Sequence, residues 1–207
     1  MKKTVLLFLL LSISSFAQNF EGEITYAVSF TSKNPQLKAE QLVAMMGSQQ
    51  TYTYKEGNYK SVMNGQMMQW QTYLKKDNKL YSKMAASPSV FWNDAAVQGD
   101  EVLSAQINKD AVTILGYKCD ELLLECKSGL QKYYFNSKLA VDPSSFVNHK
   151  FGNWYEFVSR AKALPLKSVV DNGQFEITSE ATKVTPKKVD VAIFALPSDA
   201  KFEKSPY

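Results

Sequence analysis

The sequence predicts an α+β chain built on one strongly curved antiparallel sheet, with a long helix and a helical insertion packed on its concave side. Three observations carry that reading. Apolar residues alternate at period two over most of the 207 residues, as in strands that bury one face. Short turn signals separate the alternating runs: Glu56-Gly57-Asn58, Asn64-Gly65, Lys127-Ser128-Gly129 and Asn172-Gly173, residue types that accept the backbone of tight connections. Aromatic residues make up 13% of the chain, enough Tyr and Phe to fill the wide core of a sheet.

The chain opens with Met1-Lys2-Lys3, an apolar run from Val5 to Leu11, and Ser15-Phe16-Ala17. A basic start, a short apolar stretch and a small-x-small site read as an export signal, residues 1–17, cleaved after Ala17. The run is shorter than the roughly 20 apolar residues that cross a bilayer, and no cysteine marks a lipid-anchored terminus. The expectation is a periplasmic or secreted protein that does not span the membrane. Losing Lys2 and Lys3 lowers the formal charge from +4 to +2, and no basic face stands out for nucleic acid. About 190 mature residues suit one domain, residues 18–207.

Ile24, Tyr26, Val28 and Phe30 form the inward row of the first strand. Asn34-Pro35 then opens a helix over residues 35–47, with Leu37, Leu42, Met45 and Met46 on its apolar stripe and Gly47 ending it. Residues 51–84 form a meander whose strongest hairpin signal is Asn64-Gly65. Residues 85–110 are irregular, broken by Ser87-Pro88-Ser89 and Gln98-Gly99-Asp100. Residues 114–143 form a long hairpin. Leu122, Leu123 and Leu124 make its first arm apolar on both sides, so both faces need cover. Asp142-Pro143-Ser144-Ser145 starts a helical or loop segment to about Lys162. Strands at 164–170, 175–184 and 189–196 close the chain. Cys119 and Cys126 lie on one strand, about 23 Å apart at 3.3 Å per residue. A bridge needs Cα atoms within about 7 Å, so both are expected unpaired.

Six of the seven methionines lie between Met45 and Met84, and methionine suits surfaces that accept variable apolar shapes. Met45, Met46, Met63, Met68 and Trp70 are therefore candidate lining for a ligand cavity between the first helix and the sheet. Phe91, Trp92 and Trp154 are candidates at its mouth. The same methionines would also serve as core filling, and the aromatics as anchors of long loops. Asp142, Ser144, Ser145 and His149 have the residue types of a hydrolytic triad but crowd one short segment and lack a nucleophile elbow. Asp120, Glu121 and Glu125 read as a solvated hairpin face, since no second carboxylate is fixed opposite for glycoside cleavage. A single histidine and two cysteines without zinc spacing exclude a His/Cys metal site. Neither catalytic residues nor a cofactor are expected.

The order of elements resembles the half-barrel fold of the Lol-type periplasmic lipoprotein carriers and their uncharacterised secreted relatives in Gram-negative bacteria. The likeness rests on residues 22–30 with the helix at 35–47, on Ile114-Leu115-Gly116-Tyr117, and on Ile193-Phe194-Ala195-Leu196-Pro197. It implies a strongly curved antiparallel sheet, a half-open β-barrel, with helices packed on the concave side of an apolar cavity. The function it implies is non-enzymatic binding of a hydrophobic ligand, a lipid or a lipoprotein acyl chain. The alternative is a cell-envelope interaction module with a filled core and a protein partner.

Overall fold

A computed structural model of the chain describes residues 19–206. The expected export signal, residues 1–17, lies outside the described residues. Strand β1, Gly22–Ser32, buries Ile24, Tyr26, Val28 and Phe30 on one face. Helix α1 is Ala39–Met46, shorter than the expected 35–47. Asn34 makes a turn of its own first: its side chain accepts from Gln36 N (2.9 Å) and its carbonyl from Leu37 N (3.0 Å). The helix then starts at Lys38, whose N–H donates to Gln41 Oε1 (2.9 Å). Strands β2 (Gln49–Lys55), β3 (Asn58–Met63), β4 (Met68–Leu74) and β5 (Lys79–Met84) form the expected meander.

Between β3 and β4, Asn64-Gly65 sits in a four-residue connection rather than a two-residue hairpin turn. Asn64 Oδ1 accepts from Ser48 N and Gln49 N (both 2.9 Å). Gln66 N and Met67 N donate to the carbonyls of Ala44 (3.1 Å) and Met45 (2.8 Å). The connection thus satisfies carbonyls that the last turn of α1 leaves without a helical partner.

The irregular stretch expected at 85–110 contains β6, Val90–Asp94, and the start of β7, Val102–Ile114. β7 showed no alternation because it is an edge strand, exposed along nearly its whole length. The long hairpin forms as β8 (Tyr117–Cys126) and β9 (Gly129–Ala140). Leu122 and Leu124 are fully buried and Leu123 is half-buried, so the strand faces the core on one side rather than both. Cys119 and Cys126 are free and buried, and Cys126 Sγ accepts from Asn153 Nδ2 (3.4 Å). Burial pushes the Cys126 thiol up to about 11. Short 3-10 turns at Pro143–Phe146 and Phe151–Asn153 lead into helix α2, Trp154–Ala161.

Strands β10 (Ala163–Asp171) and β11 (Phe175–Pro186) follow, joined at Asn172, whose Oδ1 accepts from Gln174 N (3.1 Å) and Phe175 N (3.0 Å). The strand expected at 189–196 is instead a 3-10 turn, Val191–Phe194. Asp190 takes the N–H of Ala192 (2.9 Å) on its side chain, a local bond that competes with extended pairing. A three-residue strand, β12 (Phe202–Lys204), runs parallel to β6.

All twelve strands belong to one sheet, ordered β12-β6-β5-β4-β3-β2-β1-β11-β10-β9-β8-β7. All but the β12–β6 pairing are antiparallel. The sheet is open and not strongly curled, and the strong half-barrel curvature expected from the sequence is not confirmed. Its main core, with Leu42 of α1 and Phe157 and Val158 of α2, fills one face. A second cluster lies on the reverse face at Leu74, Tyr81 and Val90, covered by Val189 and Phe194. That end of the sheet is packed from both sides, not wrapped around helices.

Candidate functional site

The alternation of β1 and β2 turns Tyr26 and Tyr52 toward the helix-bearing face. Pairing of β1 with β11 sets Ser179 opposite Val28 and Ile177 opposite Phe30, farther along β1 from Tyr26, and pairing of β11 with β10 adds Ser168 opposite Ser179 and Val170 opposite Ile177. At Pro165 the β10–β9 register shifts; proline has no N–H for a ladder and belongs at such a break. Its carbonyl is free to accept from Tyr26 Oη (2.7 Å). Trp154, the first residue of α2, lies over this surface. Its ring is tilted against Tyr52 (6.4 Å), Tyr59 (5.7 Å) and Phe157 (5.5 Å).

Between Trp154 and the strands is a cavity of about 270 Å³ lined by Tyr26, Tyr52, Tyr133, Pro165, Val170 and Ile177, with Gln50, Ser168 and Ser179. It runs from the buried Tyr26 and Pro165 to the half-buried Val170 and Ile177. No charged residue lines it. Tyr52 Oη and Trp154 Nε1 are both buried without a hydrogen-bond partner, a state that costs about 1–3 kcal/mol for each group. Other polar groups of the lining are paired: Gln50 Nε2 donates to Ser61 Oγ (2.7 Å) and Tyr133 Oη to Gln131 Oε1 (3.2 Å). Burial holds the hydroxyls of Tyr26, Tyr52 and Tyr133 well above the usual tyrosine range, so all three stay neutral. The arrangement can take up uncharged, largely apolar surface.

Of the eight candidates named from sequence, only Trp154 lines this cavity. Met45 is 41% exposed. Met46 and Met63 pack against the main core, and Met68 is half-buried opposite Met84. Trp70 and Trp92 belong to the reverse-face cluster, where Lys60 Nζ lies 5.2 Å from the Trp70 ring and Lys79 Nζ 4.0 Å from Trp92. Phe91 is half-buried opposite Ser82. The cavity sits beneath α2, not between α1 and the sheet. Alternation was enough to place Tyr26 inward. Nothing in the sequence made β1 a neighbour of β11, which is what sets the lining strands side by side.

The other polar groupings are held by local contacts. Asp142 accepts from Ser144 N (2.9 Å) and Ser144 Oγ (2.6 Å), and Ser145 Oγ accepts from Lys75 Nζ (3.1 Å). His149 Nε2 is 2.8 Å from Tyr59 Oη. On the hairpin, Asp120 pairs with Lys109 (2.6 Å), Glu121 accepts from Asn108 (2.7 Å) and Glu125 from Ser104 (3.0 Å). No group of three His, Cys, Asp or Glu side chains placed to hold a metal occurs among the described residues. No helix among them is long and apolar enough to cross a membrane.

No protein-family model matches the chain, and no curated protein matches it. Among solved structures, that of PNGF-II in a P21 space group aligns with 89% of this chain at 11% identity and a TM-score of 0.48. The chain covers 32% of that protein, about a third of its length. LprF from Mycobacterium bovis aligns with 87% of this chain and 91% of its own, at 12% identity and a TM-score of 0.29. At these values neither likeness carries weight for fold or function.

Proposed function

We propose that the protein is a non-enzymatic binding protein, exported to the periplasm or beyond, that holds a hydrophobic ligand such as a lipid or acyl chain between sheet and helices. The observation that carries this is the cavity of about 270 Å³ beneath Trp154, lined by aromatic, aliphatic and uncharged polar side chains with no charged residue among them. Its volume is near the lower end of the roughly 300–1,000 Å³ usual for ligand sites, which suits one slender chain. The order of strand, helix, meander, long hairpin and helical insertion supports a half-barrel relationship. On that reading the open sheet bends toward α2, which touches both β2 and β9 through Trp154 and Phe157.

The mature protein should carry acyl species into native mass spectrometry, and added acyl lipids should raise its melting temperature. Ligand at about 100 times Kd would add about 2.7 kcal/mol of stability. A clean unliganded mass together with no thermal shift from free or esterified acyl chains would sink the proposal.

One feature favours the alternative of an envelope interaction module. Edge strand β7 leaves Leu103 and Ile107 exposed beside its unpaired backbone, the geometry by which sheets add a partner's strand.

A further inference from the structure

The methionines that the cavity leaves out stand together elsewhere. Strands β3, β4 and β5 are neighbours in the sheet. On β3, Met63 shares the face of Tyr59, and on β5, Met84 shares the face of Leu80, both buried in the main core. Met68, on β4 between them, is directly opposite Met84, a placement that sets Cβ atoms about 4.5–5.5 Å apart on one face. The register shifts between Met68 and Trp70. Without that bulge, period two would put Met68 on the reverse face with Trp70, and bulges re-aim side chains in this way beside sites. Helix α1 covers the same face, and its last residue, Met46, packs on the main core. The connection after Met63 runs against it, since a Cβ on Gly65 would lie 2.3 Å from Met46 C. Met46, Met63, Met68 and Met84 are thus gathered at one end of the helix-bearing face, each half-buried.

We propose that this grouping is a site for a soft monovalent cation, Cu(I) or Ag(I), held by the thioethers of Met63, Met68 and Met84 and closed over by Met46. Thioether sulfur is a soft donor that selects Cu(I), and three rotatable bonds let each methionine turn its sulfur toward a common point. Neutral thioethers do not offset the desolvation of a divalent ion. Zinc and calcium sites use imidazole, thiolate or carboxylate donors, and no group of three such side chains placed to hold a metal occurs among the described residues. Packing alone does not call for methionine at four adjoining positions, because leucine fills a core with better-defined rotamers. The site is separate from the cavity beneath Trp154, whose lining contains no methionine, so it goes beyond the hydrophobic-ligand function and does not depend on it.

The test is an NMR titration of the mature protein, isotope-labelled at its methionine methyl groups, with Ag(I) as a redox-inert stand-in for Cu(I) and with Zn²⁺ in parallel. One equivalent of Ag(I) is expected to shift the methyl signals of Met63, Met68 and Met84 together, while Zn²⁺ leaves them in place. Met68→Leu and Met84→Leu conserve volume and should each weaken Ag(I) binding at least about tenfold, the scale on which metal sites lose affinity when even a supporting partner is removed. Absence of these three shifts at one equivalent overturns the proposal, including the case in which the free Cys119 or Cys126 alone takes up the ion. Shifts confined to the exposed Met45 and Met67 overturn it as surface binding, and so does unchanged Ag(I) affinity in both variants. Each of these failures leaves the acyl-ligand function standing, since that is read by a separate measurement on a separate part of the sheet.

Discussion

His149 shows what burial does to one residue. It is 1% exposed, stacked on Tyr59 (5.8 Å) and tilted against Tyr73 (4.2 Å), and its Nδ1 is buried without a partner. Burial depresses its pKa to about 4, so the folded protein holds it neutral. The unfolded chain takes up that proton near the ordinary value of about 6.5. Between these values the unfolded state binds more protons, so stability falls as pH drops from about 6.5 to about 4 and is fully present above that window. The loss at the acid end is about 3 kcal/mol from this group. His149 is the only histidine, so an NMR titration reads it without ambiguity. An apparent pKa near 6.5 in the folded protein would contradict the packing described here. Gly65 is a second such position. A Cβ there would lie 2.3 Å from Met46 C and 2.4 Å from Gly47 N, both backbone atoms. Gly65→Ala should destabilise by about 1–3 kcal/mol through overpacking. Gly99→Ala, with no atom within 4 Å, should stay within about 0.5 kcal/mol in the same denaturant titration.

At the scale of elements, the C-terminal segment after β11 separates pattern from context. Val189, Val191, Ile193 and Phe194 look like strand residues, yet Asp190 caps a turn and only Val189 and Phe194 are buried. Phe194 is 6% exposed and covers Leu74 and Tyr81 on the reverse face of the sheet, while Val191 is 65% exposed. Phe194→Ala should therefore cost about 3–5 kcal/mol, and Val191→Ala about 0.5 kcal/mol or less. Urea midpoints for the two variants test this directly, and similar losses for both would mean that the segment packs as a strand. The two edges of the sheet also differ. The three-residue β12, with Glu203 paired to Lys201 (2.8 Å), blunts one edge. The other is the long β7, interrupted by a bulge at 109–111 where Asp110 adopts φ +53°. Short, charged or bulged edges resist unwanted pairing, and β7 uses the bulge with the exposed charges of Lys109 and Asp110 on it.

For the whole molecule, the cavity depends on pairings between parts of the chain far apart in sequence. Tyr26 and Pro165 are 139 residues apart and share a hydrogen bond. Strands β1 and β11 pair along their length, and the short helix α2 reaches toward both β2 and β9. The sequence by itself determined the sheet-rich class, the meander, the long hairpin, the unpaired cysteines and the inward row of β1. Each of these follows from local chemistry: period-two burial, turn residues, and the reach of seven strand residues. It placed Trp154 among the candidates but joined it to methionines and tryptophans that the fold distributes over α1, the main core and the reverse face. Only the tertiary structure decided which strands became neighbours, which face each aromatic residue met, and that the cavity lies under α2. Alternation specifies that a side chain is buried, but strand order decides against what, and that order is settled by long-range contacts that leave no periodic trace in the chain.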